Sequence, residues 1–103
     1  MSTTASRLVS ELTERGETLS FCESLTAGLA SATVASVPGA SAVLRGGLVT
    51  YATDVKSHFL HQSVADIEAA GVVSGETALA MARAAVAETA ADWGIGLSLI
   101  QIS

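Results

Sequence analysis

Two short polar stretches contain residue types that together can make and break amide bonds. The first, ESLTAG at residues 23–28, places Ser24 just after a predicted strand and just before a predicted helix. The second, RGGLVTY at residues 45–51, is followed closely by Lys56. A serine hydroxyl attacks a carbonyl carbon when a neighbouring base takes its proton, and a lysine amine can be that base. The two stretches therefore indicate acyl-transfer chemistry, with Ser24 as the candidate nucleophile.

The predicted position of Ser24 at a helix start has two interpretations. Backbone N–H groups at a helix start lack partners within the helix and carry partial positive charge, so they bind anions or a developing oxyanion. Serine and threonine are also preferred helix caps, and Ser24 or Thr26 could have only that role. From position alone, capping is the more common role. Glu23 could orient the serine or a substrate, or support the helix start electrostatically.

Tyr51 and Lys56 stand five residues apart, across a predicted strand end and the first turn of a helix. Lysine acts as a base only when neutral, and its ordinary pKa of about 10.4 must fall by about three units for work near pH 7. Burial or a nearby cation lowers a lysine pKa in this way. The Tyr51 phenol could relay a proton or bind substrate. The alternative is an exposed lysine beside a tyrosine at the sheet edge.

Composition and motifs argue against several other classes of protein. The net charge is −5, and the five basic residues are scattered singly, which disfavours nucleic-acid binding. His58 and His61 have no convincing third ligand nearby, so we expect no metal site. No glycine-rich dinucleotide fingerprint follows the first strand, and we expect no cofactor. A single cysteine excludes an intrachain disulfide. The sequence also contains no run of 18 apolar residues, the length needed to span a membrane. We therefore expect a cytoplasmic protein.

The elements that must position these residues follow from hydrophobic periodicity and from capping residues. The pattern predicts a first helix through residues 5–12, ended by Gly16, and further helices at residues 26–36, 53–60, 63–70 and 75–91. It predicts strands at residues 18–22, 43–52 and 95–102. Ser2, Thr3 or Thr4 could cap the first helix, and Thr53, Ser63 and Ser74 are the predicted caps of the last three helices, respectively. Strands separated by helices predict one α/β domain spanning residues 1–103.

The same stretches resemble those of a known family. ESLTAG at residues 23–28 resembles the Glu-Ser-x-Thr-Gly-Gly motif of the CinA C-terminal domain family. PGAS at residues 38–41, GGLVTY at residues 46–51 and then Lys56 resemble the next block of that family. GVVS at residues 71–74, with the long helix after it, is similar to the third landmark. The resemblance covers about residues 4–99.

This resemblance implies a three-layer α/β/α domain with a mixed sheet and nicotinamide-nucleotide amidase activity. Such an enzyme hydrolyses the carboxamide of nicotinamide mononucleotide, a small-molecule nucleotide, to nicotinic acid mononucleotide and ammonia without a metal. By position in the motifs, Ser24 would be the nucleophile, Lys56 its base, and Tyr51 a partner in proton transfer. The substrate-binding positions would be Glu23, Thr26, Gly28, Gly46 and Gly47.

The sequence departs from the family pattern in two places. Ala27 stands where the motif has its first glycine, so we expect a change either in a backbone conformation or in a close approach of the ligand that needs glycine. The family also continues beyond the position of Ser103, so we expect an incomplete domain that lacks the last strands and helix. A sheet without those strands would expose an edge that pairs with another chain, which predicts a homo-oligomer.

Two alternatives to catalysis remain open at this stage. One is a catalytically silent family member that acts as a binding or assembly module. The other is a nucleotide-phosphate binder that uses the predicted helix start at Ser24.

Overall fold

The computed structural model describes residues 3–71 and 74–98 as helices on both sides of a parallel sheet. The strands are β1 (Leu19–Glu23), β2 (Leu44–Val49) and β3 (Trp93–Leu97), and the helices are α1 (Thr4–Arg15), α2 (Leu29–Ala35), α3 (Thr53–Leu60), α4 (Val64–Ala70) and α5 (Gly75–Thr89), with a short 3₁₀ turn at Ala40–Ala42. The strand order is β2-β1-β3, and β1 pairs in parallel with both neighbours. The predicted α/β fold is confirmed.

The central strand β1 is buried along its whole length. Successive side chains in a strand point to opposite sides, so those of β1 lie in two different clusters. Leu19 and Phe21 lie in a cluster with Val9 and Leu12 of α1 and with Val34 of α2. Cys22 lies in a second cluster on the other face with side chains from α5 and β2, namely Met81, Ala85 and Leu48. This is the expected three-layer α/β/α arrangement. All three described strands are parallel, so the antiparallel strand of the expected mixed sheet is not among them.

Helix α5 packs directly on β3 because two glycines remove the side chains between them. A Cβ atom at Gly94 would collide with the carbonyl oxygen of Ala82, and one at Gly96 with that of Ala78. Glycine is therefore required in this strand for close approach of the helix backbone. The contact fixes α5 across the sheet and holds β3 beside β1.

Several predicted element boundaries are confirmed. The capping hydroxyls of Thr3, Ser63 and Ser74 each accept a hydrogen bond from a backbone N–H in the first turn of α1, α4 and α5, respectively. Gly16 ends α1 with a φ of 66°, in the left-handed region that favours glycine.

Other boundaries were wrong. Helix α2 begins at Leu29 rather than residue 26, because residues 25–28 form turns in which Ala27 and Gly28 have φ values of 50° and 98°. The cap position of α3 is Ala52, not Thr53, and no side chain caps that helix. Strand β2 ends at Val49 rather than residue 52. Strand β3 begins two residues earlier than expected, at Trp93, and residues 99–102 of its predicted range lie outside the described residues.

Candidate active site

Ser24 and Lys56 meet at the carboxyl-terminal edge of the sheet. Ser24 follows β1 directly, and Lys56 lies in α3, which follows β2. Because β1 and β2 are parallel neighbours, the segments after them begin at the same edge of the sheet. The Nζ atom of Lys56 lies 2.7 Å from the Oγ atom of Ser24 and donates a hydrogen bond to it. The predicted nucleophile and base are therefore in direct contact.

This pair is enclosed by protein. Ser24 is 1% exposed and Lys56 is 2% exposed. Burial lowers the pKa of Lys56, and this effect exceeds the opposing charge effect that an ionised Cys22 would have on that pKa. Within the described part of the chain, no carboxylate forms an ion pair with this lysine. The lysine is thus biased towards the neutral amine that a general base requires.

A second contact orients the amine of Lys56. Its Nζ atom also donates to the backbone carbonyl oxygen of Tyr51 at 3.1 Å. The side chain of Tyr51 itself is 64% exposed. Tyr51 therefore contacts Lys56 through its main-chain carbonyl group. The role of the Tyr51 phenol in proton transfer stays a prediction.

Glu23 is completely buried on the opposite face of β1 from Ser24. Its Oε1 atom accepts hydrogen bonds from the Thr26 hydroxyl at 2.7 Å and the Ala30 N–H at 2.9 Å. Its Oε2 atom accepts from both the N–H and the hydroxyl of Ser31. Burial alone would raise the pKa of Glu23, but the hydrogen bonds from Ser31, Thr26 and Ala30 outweigh it and hold the pKa below its ordinary value. Glu23 is thus an ionised carboxylate enclosed by donors.

These bonds change the interpretation of the helix start. The N–H groups of Ala30 and Ser31, in the first turn of α2, bind Glu23 rather than standing free for an anion. Neither Ser24 nor Thr26 caps α2, whose cap position is Gly28. The prediction that Ser24 lies at the helix start was wrong because four residues of turn separate them.

The backbone holds Ser24 on both sides. Its N–H donates to the carbonyl oxygen of Leu97 in β3 at 3.0 Å, and its own carbonyl oxygen accepts from the N–H of Ala27 at 3.0 Å. Ser24 is therefore bonded to the sheet and to the turn that follows it.

The three glycines that the resemblance placed in the substrate pocket make contacts with other parts of the protein. A Cβ atom at Gly47 would lie 2.5 Å from the Ser31 Oγ, so this glycine makes room for that serine. The carbonyl oxygen of Gly46 accepts a hydrogen bond from Ser20 Oγ at 2.9 Å, next to an irregularity in the β1–β2 register. Gly28 packs beside Val49 in a left-handed conformation. Their contacts with a substrate stay predictions.

Three residues near the site were not found from the sequence. The N–H of Thr50 donates to the carbonyl oxygen of Glu23 at 2.7 Å, and its hydroxyl lies 3.6 Å from Cys22 Sγ. The position of Thr50 at the end of β2 was a usable signal, since parallel strand ends meet at one edge. Burial raises the pKa of Cys22 and keeps it a neutral thiol. Nothing in the sequence linked Ser31 to Glu23, eight residues before it.

The histidines lie apart from this pair. The His58 ring contacts Phe59 edge-on, and His61 Nε2 lies 3.8 Å from a carboxylate oxygen of Glu88. In the ranges that the structure describes, no three histidine, cysteine or acidic side chains are grouped to hold a metal ion. No helix within these same ranges combines the length and apolar character needed to cross a membrane.

Comparison with protein families decides the relationship that the motifs suggested. The family model for the CinA C-terminal domain matches residues 1–100. The chain belongs to the CinA C-terminal domain family. It is 47% identical over 94 residues to a competence-damage inducible protein of Streptococcus pneumoniae strain ATCC 700669, and 46% identical to the one from strain JJA. These matches cover 91% of this chain but only 22% of those relatives.

Solved structures of the CinA family show the same fold. A competence/damage inducible protein from Agrobacterium tumefaciens is 35% identical with a TM-score of 0.80, and a CinA superfamily protein from Escherichia coli is 26% identical with the same TM-score. Each match covers 85% of this chain and about half of the solved chain, 53% and 51% respectively. The chain therefore spans part of the length of its relatives.

The departure at Ala27 acquires a structural meaning within the CinA motif. Ala27 adopts a φ of 50°, which is a left-handed conformation that costs an L-residue about 1–2 kcal/mol. Glycine would carry no such penalty in this conformation. The cost of alanine at this position appears as strain at Ala27, and the expected change relative to glycine stays a prediction.

Proposed function

We propose that this chain is a hydrolase that cleaves the carboxamide of nicotinamide mononucleotide, yielding nicotinic acid mononucleotide and ammonia. The observation that carries the proposal is the 2.7 Å contact between Ser24 Oγ and Lys56 Nζ inside the protein. The lowered pKa of this buried lysine supports its assignment as a base. Membership of the CinA C-terminal domain family supplies the choice of substrate through the motif resemblance.

The proposed reaction uses the lysine as a proton carrier. Ser24 Oγ attacks the carboxamide carbon while the neutral Lys56 amine takes the hydroxyl proton. The C–N bond then breaks, and the lysine returns that proton to the departing nitrogen, which leaves as ammonia. A water molecule attacks the resulting ester in the same way, which releases the carboxylic acid and restores the serine hydroxyl.

Lys56 also has an electrostatic role in this proposal. After taking the proton it is an ammonium ion next to the tetrahedral intermediate, where negative charge has developed. Such a charge acts strongly in a site from which water is excluded. The Tyr51 carbonyl oxygen, at 3.1 Å, keeps the amine aimed at Ser24 in both protonation states.

Ammonia release from nicotinamide mononucleotide tests the proposal. We expect turnover by the wild-type chain. Lys56→Met should lower kcat by roughly 10²–10⁴-fold, the range for loss of a general base. Ser24→Ala should lower kcat by at least as much, because it removes the nucleophile. Ser36→Ala and Arg83→Met, which change an exposed serine and an exposed basic residue, are matched controls and retain full activity. Absence of turnover in the wild type, or equal activity in all variants, contradicts the proposal.

One observation favours a catalytically silent binding or assembly module as the second candidate. The enclosure of Ser24 and Lys56 means that a carboxamide reaches the hydroxyl only after the surrounding segments open. A silent module predicts an assembly that persists in Ser24→Ala, without turnover in the wild type. The phosphate-binding alternative relied on N–H groups at the start of α2, and Glu23 binds those of Ala30 and Ser31. We therefore do not propose it.

A further inference from the structure

Glu23 and Ser31 form a pair whose contacts suggest a role that the family motif does not assign. All four donors around the Glu23 carboxylate come from the protein itself. An ionised carboxylate has about four acceptor positions on its two oxygens, so this set fills it. No acceptor position is left for a substrate, although the motif placed Glu23 among the substrate-binding residues.

Hydrogen bonds between Glu23 and Ser31 join the two ends of the segment that contains Ser24, so that this segment forms a closed ring. Glu23 directly precedes Ser24, and its carboxylate binds the hydroxyl of Thr26 and then residues 30 and 31 at the start of α2. The turn of residues 24–28 is therefore fastened at both ends through one side chain. Because Ala27 in this turn is strained, the closed ring keeps the turn in a conformation that it would otherwise leave.

Ser31 is itself fixed by the neighbouring strand. It packs against Gly47 of β2, where even a single added Cβ atom would approach its Oγ to 2.5 Å and its own Cβ to 3.2 Å. The hydroxyl of Ser31 is thus confined between β2 and the carboxylate that it binds. This one contact therefore couples the positions of α2, the turn and β1 to one another.

We propose that Ser31 and Glu23 are positioning residues that hold Ser24 at hydrogen-bonding distance from Lys56 by fixing the turn of residues 24–28. Neither residue contacts the substrate in this proposal. Its kinetic consequences rest on the proposed amidase function, whereas its consequences for the motion of the turn do not.

Ser31→Ala is the decisive variant because it removes one of the four donors and leaves the Ser31 N–H in place. Glu23→Gln is the stronger variant, since in either orientation the amide –NH₂ would face a backbone N–H, that of Ala30 or that of Ser31, and leave this donor unpaired. Thr33→Ala is the matched control on the same helix, because Thr33 is exposed and its hydroxyl bonds only to the Leu29 carbonyl oxygen.

The kinetic readout uses nicotinamide mononucleotide as substrate. We expect Ser31→Ala to lower kcat by up to about 100-fold, the effect of a small misplacement of reacting groups. We expect KM to stay within about twofold of the wild-type value, since no substrate contact is lost. The pH dependence of kcat should not move, because Glu23 is not among the groups that shift the pKa of Lys56. A change confined to KM, or unchanged kcat, overturns the proposal.

Hydrogen exchange tests the same idea without any substrate. The N–H groups of Ser24 and Ala27, which bond to Leu97 and Ser24, report opening of the turn. They should exchange faster in Ser31→Ala than in Thr33→Ala, while the amides of α5 exchange equally in both. If the wild type releases no ammonia, the proposed function fails, and this exchange comparison alone decides the positioning role. Equal exchange of Ser24 and Ala27 in the two variants overturns it.

Discussion

At the scale of single residues, the candidate site contains a buried lysine that forms no ion pair with a carboxylate of residues 3–71 and 74–98. Lysine is almost never fully buried unless it is paired. Here its amine is satisfied by a serine hydroxyl and a main-chain carbonyl oxygen, which are neutral acceptors. Neutral partners stabilise the ammonium form less than a carboxylate does, so desolvation prevails and the pKa of Lys56 falls.

The lowered pKa of Lys56 predicts how stability and activity change with pH. At pH values between the pKa of Lys56 in the folded chain and its unfolded value of 10.5, the unfolded chain binds more protons than the folded chain. The contribution of Lys56 to the free energy of unfolding therefore rises with pH in this range. The proposed hydrolysis should slow as pH falls through the folded pKa, because the base becomes protonated. Urea unfolding of the wild type and Lys56→Met across pH 7 to about 10 measures the first effect. If the free energy of unfolding changed equally with pH in the two proteins, the pKa of Lys56 would not be lowered by folding.

At the scale of secondary-structure elements, the helices differ in how far local sequence determines them. Helices α1, α4 and α5 begin at capping hydroxyls, and these starts were predicted from neighbouring residues alone. Helix α2 has no such cap, and its first turn is stabilised by Glu23 from the preceding strand. Its start could not be predicted because a side chain from another element supplies the cap.

Contact between α5 and β3 predicts a selective response to added methyl groups. Gly96→Ala should destabilise the fold by about 1–3 kcal/mol, the usual cost of overpacking, because its Cβ would collide with the backbone of Ala78 and Ala82. Gly75→Ala in the first turn of α5 meets no atom within 4 Å and is the matched control. Chemical denaturation measures both. Equal stabilities would mean that α5 does not lie as close to β3 as the structure has it.

At the scale of the whole molecule, the described sheet is small and has two edge strands. Strands β2 and β3 each pair with β1 alone among the described strands. Trp93 on β3 is half exposed, although it is the largest apolar side chain of the described sheet. Unpaired strand edges with exposed apolar groups favour pairing with another chain.

We therefore propose that the chain forms a homo-oligomer through the β3 edge. Light scattering on the purified protein should give a mass that is a multiple of one chain. Trp93→Lys should shift it towards the monomer, because a charged edge residue opposes strand pairing. Leu79→Lys, at a similarly exposed apolar position on α5, should not. A monodisperse monomer of the wild type contradicts the proposal.

Local patterns in the sequence predict the order of the elements, the capped starts of α1, α4 and α5, and the residues that are candidates for the chemistry. Strands and capped helices follow from local periodicity, and Ser24 and Lys56 were identified as a candidate pair from their types and their motifs. Local sequence contains this information because capping and amphipathic patterns act over a few residues.

The contacts between those residues depend on the folded chain and not on local patterns. Ser24 and Lys56 are 32 positions apart, and their contact exists because β1 and β2 end at the same edge. Glu23 binds the first turn of α2 rather than facing Ser24, because the two side chains occupy opposite faces of β1. The exposure of the Tyr51 side chain is also a property of the folded chain. Burial, which lowers the pKa of Lys56, is likewise produced by segments distant in the chain, so no local pattern could specify it.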